Sequence, residues 1–176
     1  MANKKFKIML LREIAIAEQC NEARQLYESS RFGEVKDEKI QYGLVEVAYL
    51  LEKKKADVVD GRNKELSFDD LVKKAKKIEY NFWVRYMVFR DMRDRGYIVK
   101  TALKFGADFR VYDRGVKPGE DHAKWILYPV FEGEKFSWYE FSAKNRVAHS
   151  TRKNLLLGIV DVENDVTYYS IAWLKP

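Results

Sequence analysis

The first half of the chain alternates between the apolar spacing of strands and that of helices. An apolar, β-prone run at residues 6–17, broken by Arg12-Glu13, predicts one or two short strands. Residues 21–30 predict a short helix that ends before Gly33. Apolar residues then recur at helical spacing over residues 41–54, which predicts a second helix.

Two further helices are predicted before residue 97. Ser67-Phe68-Asp69-Asp70 is a capping-box pattern, so a helix is expected to follow it through Ala75. Another is predicted from Glu79 to Arg95, with Gly96 as its C-cap glycine. Its buried stripe is predicted from residues at positions i, i+3, i+4, i+7 and i+8: Tyr80, Trp83, Val84, Met87 and Val88.

The pattern changes to strands after Gly96. Three β-type runs are separated by glycine-containing turns: residues 97–100, 108–112 and 124–130. A second capping box, Ser137-Trp138-Tyr139-Glu140, predicts a helix that reaches about Ala148. Residues 155–162 and 166–173 flank a polar turn and are expected to pair as a hairpin.

An earlier change of pattern, near residues 60–80, divides the chain into two parts. We expect a small α+β domain over residues 1–80 and an α/β domain over residues 81–176. A chain of 176 residues that is 47% hydrophobic can bury two such cores.

The charge balance is basic and evenly spread. The net charge is +6, from 18 basic and 15 acidic residues up to position 88 and 15 and 12 after it. An excess of basic residues suits a polyanion such as nucleic acid, but it is also found in basic proteins without such a partner. Because no basic tail is present, any nucleic acid would bind a folded surface.

Several function classes are disfavoured. Cys20 is the only cysteine, which excludes an internal disulfide and agrees with a cytoplasmic location. The N-terminal apolar run is too short for a signal peptide, and no 18-residue apolar stretch occurs. HExxH, GxGxxG, phosphate-loop and GxSxG patterns are missing from the sequence, so we expect no metal and no cofactor.

Two residues near a predicted loop could carry acid–base chemistry. Tyr112 ends one β-run and His122 lies in the polar turn before the next, so a strand–loop–strand arrangement can bring them together. Spacing alone favours a structural role for both. It also favours a surface charge for Lys153 beside Arg152, and a helix C-terminal dipole partner for His149.

Five ordered segments resemble the catalytic domain of archaeal tRNA-splicing endonucleases. The segments are residues 95–100, 105–112, 121–124, 146–150 and 153–161. The resemblance extends over residues 66–176 and implies a restriction-endonuclease-like mixed sheet in the α/β nuclease domain. It also implies a tRNA-intron lyase of the homotetrameric type.

The family's catalytic Tyr, His and Lys fall on Tyr112, His122 and Lys153. The resemblance implies that a ribose 2′-OH attacks its neighbouring phosphate, giving a 2′,3′-cyclic phosphate and a 5′-OH. His122 would be the general acid, Tyr112 the general base, and Lys153 would stabilise negative charge. Because an ordinary phenol ionises only near pH 10, Tyr112 could instead orient the 2′-OH.

The resemblance also implies a substrate and an assembly. The substrate is precursor tRNA with a bulge-helix-bulge motif, and Arg146 lies at the position of one base-clamping arginine. The second clamp is unassigned, because the family has an arginine near the C-terminus where this chain has Ala172-Trp173-Leu174-Lys175. Trp173 could stack on a base instead, or be a core residue. A homotetramer is expected, in which the acidic turn inserts into a neighbouring chain through Asp161, Glu163 and Asp165.

Two alternatives stay open at this point. One is a non-catalytic RNA-binding or structural subunit of a heteromeric endonuclease, although such a subunit has no need of all three catalytic residues. The other is a metal-dependent DNA nuclease, but no convincing acid followed by acid-x-Lys lies in the β-rich half.

Overall fold

The computed structural model describes residues 5–102 and 106–174. The chain forms two compact units, Met1–Tyr86 and Met87–Pro176, and the division falls inside a helix. Each unit contains a five-stranded mixed sheet, so the expected order of an α+β unit and an α/β unit is confirmed. The sequence-based limits of 1–80 and 81–176 stay a prediction. No described helix combines the length and the apolar character that a membrane crossing requires.

The N-terminal unit has strands in the order β3-β4-β2-β1-β5, and only β1 and β5 are parallel. Its elements are β1 (Phe6–Leu11), β2 (Ile14–Glu18), α1 (Asn21–Ser30), β3 (Glu34–Lys36), β4 (Lys39–Tyr42), α2 (Leu44–Glu52), β5 (Ala56–Asp60) and α3 (Phe68–Ile78).

Helix α1 has the predicted limits, but the predicted helix over residues 41–54 is wrong at its start. Gln41 and Tyr42 lie in β4, and the helix begins after Gly43. The Glu46 carboxylate fixes this start, since it accepts hydrogen bonds from the N–H groups of Gly43 (2.9 Å) and Gly33 (3.0 Å).

The predicted cap before α3 is confirmed at Ser67, whose hydroxyl accepts a hydrogen bond from the Asp70 N–H at 3.2 Å. The capping box before α5 is confirmed with both of its hydrogen bonds. The Ser137 hydroxyl accepts from the Glu140 N–H at 3.2 Å, and the Glu140 carboxylate accepts from the Ser137 N–H at 2.8 Å.

The C-terminal unit has strands in the order β10-β9-β8-β7-β6. Strands β8 and β9 are parallel and the other pairs are antiparallel, which confirms the expected mixed sheet. The remaining elements are α4 (Phe82–Asp94, which contains the division), β6 (Ile98–Thr101), β7 (Phe109–Tyr112), β8 (Trp125–Phe131), α5 (Trp138–Ser150), β9 (Asn154–Val160) and β10 (Val166–Ile171).

Helix α4 begins three residues later than expected, and this corrects the predicted stripe. Met87 and Val88 are buried as predicted, whereas Trp83 and Val84 are half-buried. Tyr80 precedes the helix and is fully exposed, so it is not a core residue.

The two faces of the second sheet pack against different helices. On one face, Ile126 of β8 and Leu155 of β9 pack in a cluster with Ala148 of α5. On the other face, the Phe89 ring of α4 lies 5.9 Å from the Phe109 ring of β7. The sheet is therefore covered by α5 on one side and by the C-terminal part of α4 on the other.

A glycine in β9 sets how closely α4 approaches the sheet. A Cβ at Gly158 would lie 2.9 Å from Val88 Cγ1, closer than carbon atoms pack. We expect Gly158→Ala to lower the free energy of unfolding by about 1–3 kcal/mol, as overpacking does in cores. Urea denaturation measures this. Gly61→Ala is the control, because the added Cβ would meet Leu11 at an ordinary 3.4 Å. Equal losses in both variants would contradict the packing argument.

Candidate active site

The register of three strands brings the predicted catalytic residues to one edge of the second sheet. Val111 of β7 lies opposite Trp125 of β8, and Trp125 lies beside Asn154 of β9. The next row therefore contains Tyr112, Lys124 and Lys153. Adjacent strands are about 4.8 Å apart, so the backbones of the outer two are separated by about 10 Å.

Hydrogen bonds extend the sheet into this row. The Lys124 N–H donates to the Val111 carbonyl at 2.9 Å, and the Asn154 N–H donates to the Lys124 carbonyl at 3.1 Å. In this register Tyr112, Lys124 and Lys153 lie on the sheet face that α5 covers, because side chains alternate along each strand.

Tyr112 is the last residue of β7 and is 5% exposed. The Arg110 guanidinium carbon lies 6.0 Å from the centre of its ring. The phenol is therefore largely enclosed by the protein, although its backbone lies at the edge of the sheet.

His122 lies in the loop between β7 and β8, two residues before Lys124, and its side chain is exposed. The backbone N–H of His122 donates to the Asp121 carboxylate at 2.6 Å. The Lys124 ammonium and the Asp113 carboxylate, 2.8 Å apart, tie the two ends of this loop together. The predicted strand–loop–strand arrangement is confirmed, and it leaves the imidazole accessible to a ligand.

Lys153 follows the C-terminus of α5 and precedes β9. Arg152 has a left-handed φ of 55°, which reverses the chain so that the Lys153 N–H donates to the Ala148 carbonyl at 2.8 Å. The Lys153 ammonium donates to the Thr151 carbonyl at 2.8 Å. Burial, and secondly the charge of Arg110, lower the pKa of Lys153 below its ordinary value.

A cavity of about 350 Å³ adjoins Lys153. Its lining is largely polar and basic: Lys124, Asn145, Ala148, His149, Arg152, Lys153, Asn154, Leu155, Ile171 and Trp173. The His149 and Trp173 rings lie 4.4 Å apart at this cavity. His149 is in the last turn of α5 as predicted, but its place beside Lys153 was missed. Within the described ranges, no three or more His, Cys, Asp or Glu side chains converge as a metal site.

Comparison with known proteins decides the family. Residues 7–72 match the family model described as tRNA intron endonuclease, N-terminal domain, and residues 82–168 match that of its catalytic C-terminal domain. A tRNA-splicing endonuclease of Thermococcus onnurineus is 46% identical over 92% of both chains. The chain belongs to the tRNA intron endonuclease family.

Two further relatives agree with this assignment. A tRNA-splicing endonuclease of Pyrococcus horikoshii is 45% identical over 86% of both chains. One of Nanoarchaeum equitans is 48% identical over 76% of this chain and 88% of its own. The protein is therefore an enzyme of the tRNA intron endonuclease family. Tyr112, His122 and Lys153 all lie within the region matched by the catalytic domain.

The other residues suggested by resemblance to tRNA intron endonucleases lie elsewhere in the C-terminal unit. Arg146 is exposed on α5, with its guanidinium carbon 6.0 Å from the Tyr139 ring, and does not line the cavity. Asp161 accepts hydrogen bonds at 2.9 Å from the N–H groups of Glu163 and Asp165. It therefore shapes the β9–β10 turn, on which Glu163 and Asp165 are exposed.

The Asp113–Lys124 pair gives a test of the loop geometry. The hydrogen bond from Lys124, followed by that from the Arg114 N–H, lowers the pKa of Asp113. We expect Lys124→Met to raise the pKa of Asp113 toward its ordinary value, as measured by NMR titration of the carboxyl carbon. Because the folded pKa lies below the unfolded one, the pair's stabilisation is present at neutral pH and is lost as the pH falls through the folded pKa.

Arg114→Gln is the control for the charge change. The backbone N–H of residue 114 remains in this variant, and the Arg114 charge contributes less to the lowered pKa of Asp113 than the Lys124 charge does. A pKa of Asp113 that is the same in the Lys124→Met variant and in the native protein would contradict the ion pair.

Proposed function

We propose that the protein is a tRNA-splicing endonuclease that excises introns from precursor tRNA by cutting both splice sites of a bulge-helix-bulge motif. One observation carries this proposal. Tyr112, Lys153 and the β7–β8 loop that contains His122 lie at the same edge of the second sheet, within the region matched by the family's catalytic domain. Homology supplies the substrate class, and the site supplies groups suited to proton transfer and charge stabilisation.

The reaction is a transesterification within the RNA. The ribose 2′-oxygen forms a bond to the adjacent phosphorus and loses its proton, and the bond from phosphorus to the 5′-oxygen breaks. The 5′-oxygen gains a proton, so the products are a 2′,3′-cyclic phosphate and a 5′-OH. Since the substrate contributes the nucleophile, the protein needs a proton acceptor, a proton donor and positive charge.

Each proposed role agrees with the surroundings of the side chain. His122 acts as general acid on the 5′-oxygen, and its exposed ring on the loop is accessible to the RNA. Tyr112 receives or orients the 2′-OH from a buried, fixed position. Lys153 stabilises the negative charge on the phosphorane, and its position in the cavity wall lets it reach a bound phosphate.

The roles are tested on His122. We expect His122→Ala to slow cleavage of precursor tRNA by about 10²–10⁴-fold, the usual contribution of a general acid, with little change in RNA affinity. Single-turnover kinetics and filter binding measure the two quantities. Cleavage by the native protein should continue in EDTA and should be absent with 2′-deoxyribose at the splice sites.

His149→Ala is the matched control, because residue 149 is the chain's other histidine and a smaller loss is expected. Full activity of His122→Ala, or cleavage of the deoxy substrate, would refute the mechanism. Cleavage abolished by EDTA would favour a metal-dependent nuclease. RNA binding without cleavage by the native protein would favour a non-catalytic subunit.

The proposed enzyme recognises and cuts two sites, which requires two active sites at a fixed separation. Arg146 is the proposed base clamp. Its guanidinium is exposed and forms no ion pair with an acidic side chain of residues 5–102 and 106–174, so it is available to a bulged base. A homotetramer built as a dimer of dimers supplies the active sites. Two features support this assembly. Strand β10 is an edge strand of the second sheet and exposes Tyr169, so it can pair with another chain, and the β9–β10 turn is acidic.

Charge reversal on this turn tests the assembly. We expect multi-angle light scattering to give four times the chain mass of 20.8 kDa for the native protein, and a smaller species for Glu163→Lys. Glu163 is suitable because Asp161, not Glu163, holds the turn through its side chain. Glu28→Lys, at an exposed position on α1, is the control. A native monomer that cuts both splice sites would contradict the tetramer.

A further inference from the structure

Arg110 is a basic residue that lies beside the candidate catalytic side chains. The proposed mechanism gives Arg110 no role. It lies in β7 two residues before Tyr112 and opposite Ile126 of β8. Ile126 packs in the cluster that contains Ala148 of α5, and residues opposite each other on neighbouring strands share a face. Arg110 therefore lies on the sheet face that α5 covers, as do Tyr112 and Lys153. Arg110 is half-buried, and its Nε is buried without a hydrogen-bond partner among residues 5–102 and 106–174.

No carboxylate compensates Arg110 within the part of the chain that the structure describes. Its described neighbours are Lys100, which lies opposite it on β6, the Tyr112 ring, 6.0 Å from the guanidinium carbon, and the Lys153 ammonium, whose pKa it lowers. Two other arginines with a buried Nε that lacks a hydrogen-bond partner among the described residues have different surroundings. Arg85 pairs with Glu79, and Arg93 donates to the Val99 carbonyl at 3.1 Å.

Two like charges at a partly buried site disfavour the empty state. A guanidinium stays charged at all working pH values, so the repulsion of Lys153 cannot be relieved by deprotonating Arg110. An anion next to both groups would remove the repulsion and supply acceptors for the terminal guanidinium N–H groups. A phosphodiester oxygen has the charge and the hydrogen-bonding geometry for this position.

We propose that Arg110 is a phosphate-binding residue of the active site, whose terminal guanidinium nitrogens bind a non-bridging oxygen of the phosphate that is cut. This inference rests on the proposed function, because it takes the RNA phosphate as the ligand. Arg110 holds the phosphate from the β7 side while Lys153 contacts it from the β9 side. The phosphorus is thereby fixed beside Tyr112, and negative charge on its oxygens is matched as the 2′-oxygen attacks.

Inorganic phosphate is a probe that does not depend on cleavage. At constant ionic strength, we expect phosphate to shift the backbone amide NMR signals of residues 110–112 and 153–154 in a saturable way. Arg110→Gln should weaken this binding about tenfold or more, the size expected for a charged hydrogen bond. Arg110→Lys keeps the charge without the planar fork and should bind with intermediate affinity.

Arg62→Gln is the matched control, since it removes one positive charge from an exposed turn of the N-terminal unit. Its phosphate affinity should equal that of the native protein. An unchanged affinity in Arg110→Gln would overturn the proposal, as would equal weakening in Arg62→Gln. The amide spectra also show whether each variant is folded, and Arg110→Lys provides a second reading if Arg110→Gln is not.

Cleavage kinetics separate this inference from the proposed function. We expect Arg110→Gln to lower kcat about tenfold or more while KM changes less, because many other contacts hold the RNA. Native cleavage that depends on His122 but is as fast in Arg110→Gln would refute the role of Arg110 alone. Phosphate binding that depends on Arg110 in a native protein without cleavage would refute the proposed function and retain the anion site.

Discussion

The parallel pairing of β8 and β9 is the constraint on which the arrangement of the site depends. A parallel neighbour requires a crossover, and α5 carries the chain back to the edge where β8 began. Because β7 is antiparallel to β8, the end of β7 lies at that same edge. Tyr112 at a strand end and Lys153 before a strand start therefore lie at the same edge of the sheet, on strands about 10 Å apart. An antiparallel β9 would place Lys153 at the opposite edge of the sheet.

Helices pack on both faces of the second sheet and hold the strands that end at this edge. Gly158 lets α4 approach one face, and α5 covers the other through Ala148. The end of α5 also positions the lysine, because the Ala148 carbonyl accepts from its backbone N–H and the Thr151 carbonyl accepts from its ammonium. These carbonyls carry the partial negative charge of the helix terminus and so compensate a cation that burial disfavours. The fold and the reactive groups thus share the same residues.

Local signals in the sequence were enough for part of the fold. Helix α1 and both capping boxes were predicted well, since caps and helical spacing involve residues three or four positions apart. Strands β3, β4 and β5 were missed. The pairing of β4 and β5 depends on β2 and β1, which are distant in the sequence, and β3 pairs only with β4. The choice of Tyr112, His122 and Lys153 as catalytic candidates came from the family resemblance. The His149–Trp173 contact depends on how the C-terminal segment returns over α5, which no local pattern records.

In the proposed reaction, the number of cations beside the phosphate that is cut decides which charge state of that phosphate the site stabilises best. A phosphodiester carries one negative charge, and loss of the 2′-OH proton raises this to two before the 5′-oxygen is protonated. Of the two cations that we propose contact the phosphate, Lys153 alone would match the ground state, whereas Lys153 and Arg110 together would match the doubly charged phosphorane. Groups whose interaction strengthens as charge develops lower the barrier, while those that bind both states equally do not. A pair of cations that repel each other in the empty site is therefore better suited to the transition state than a single one.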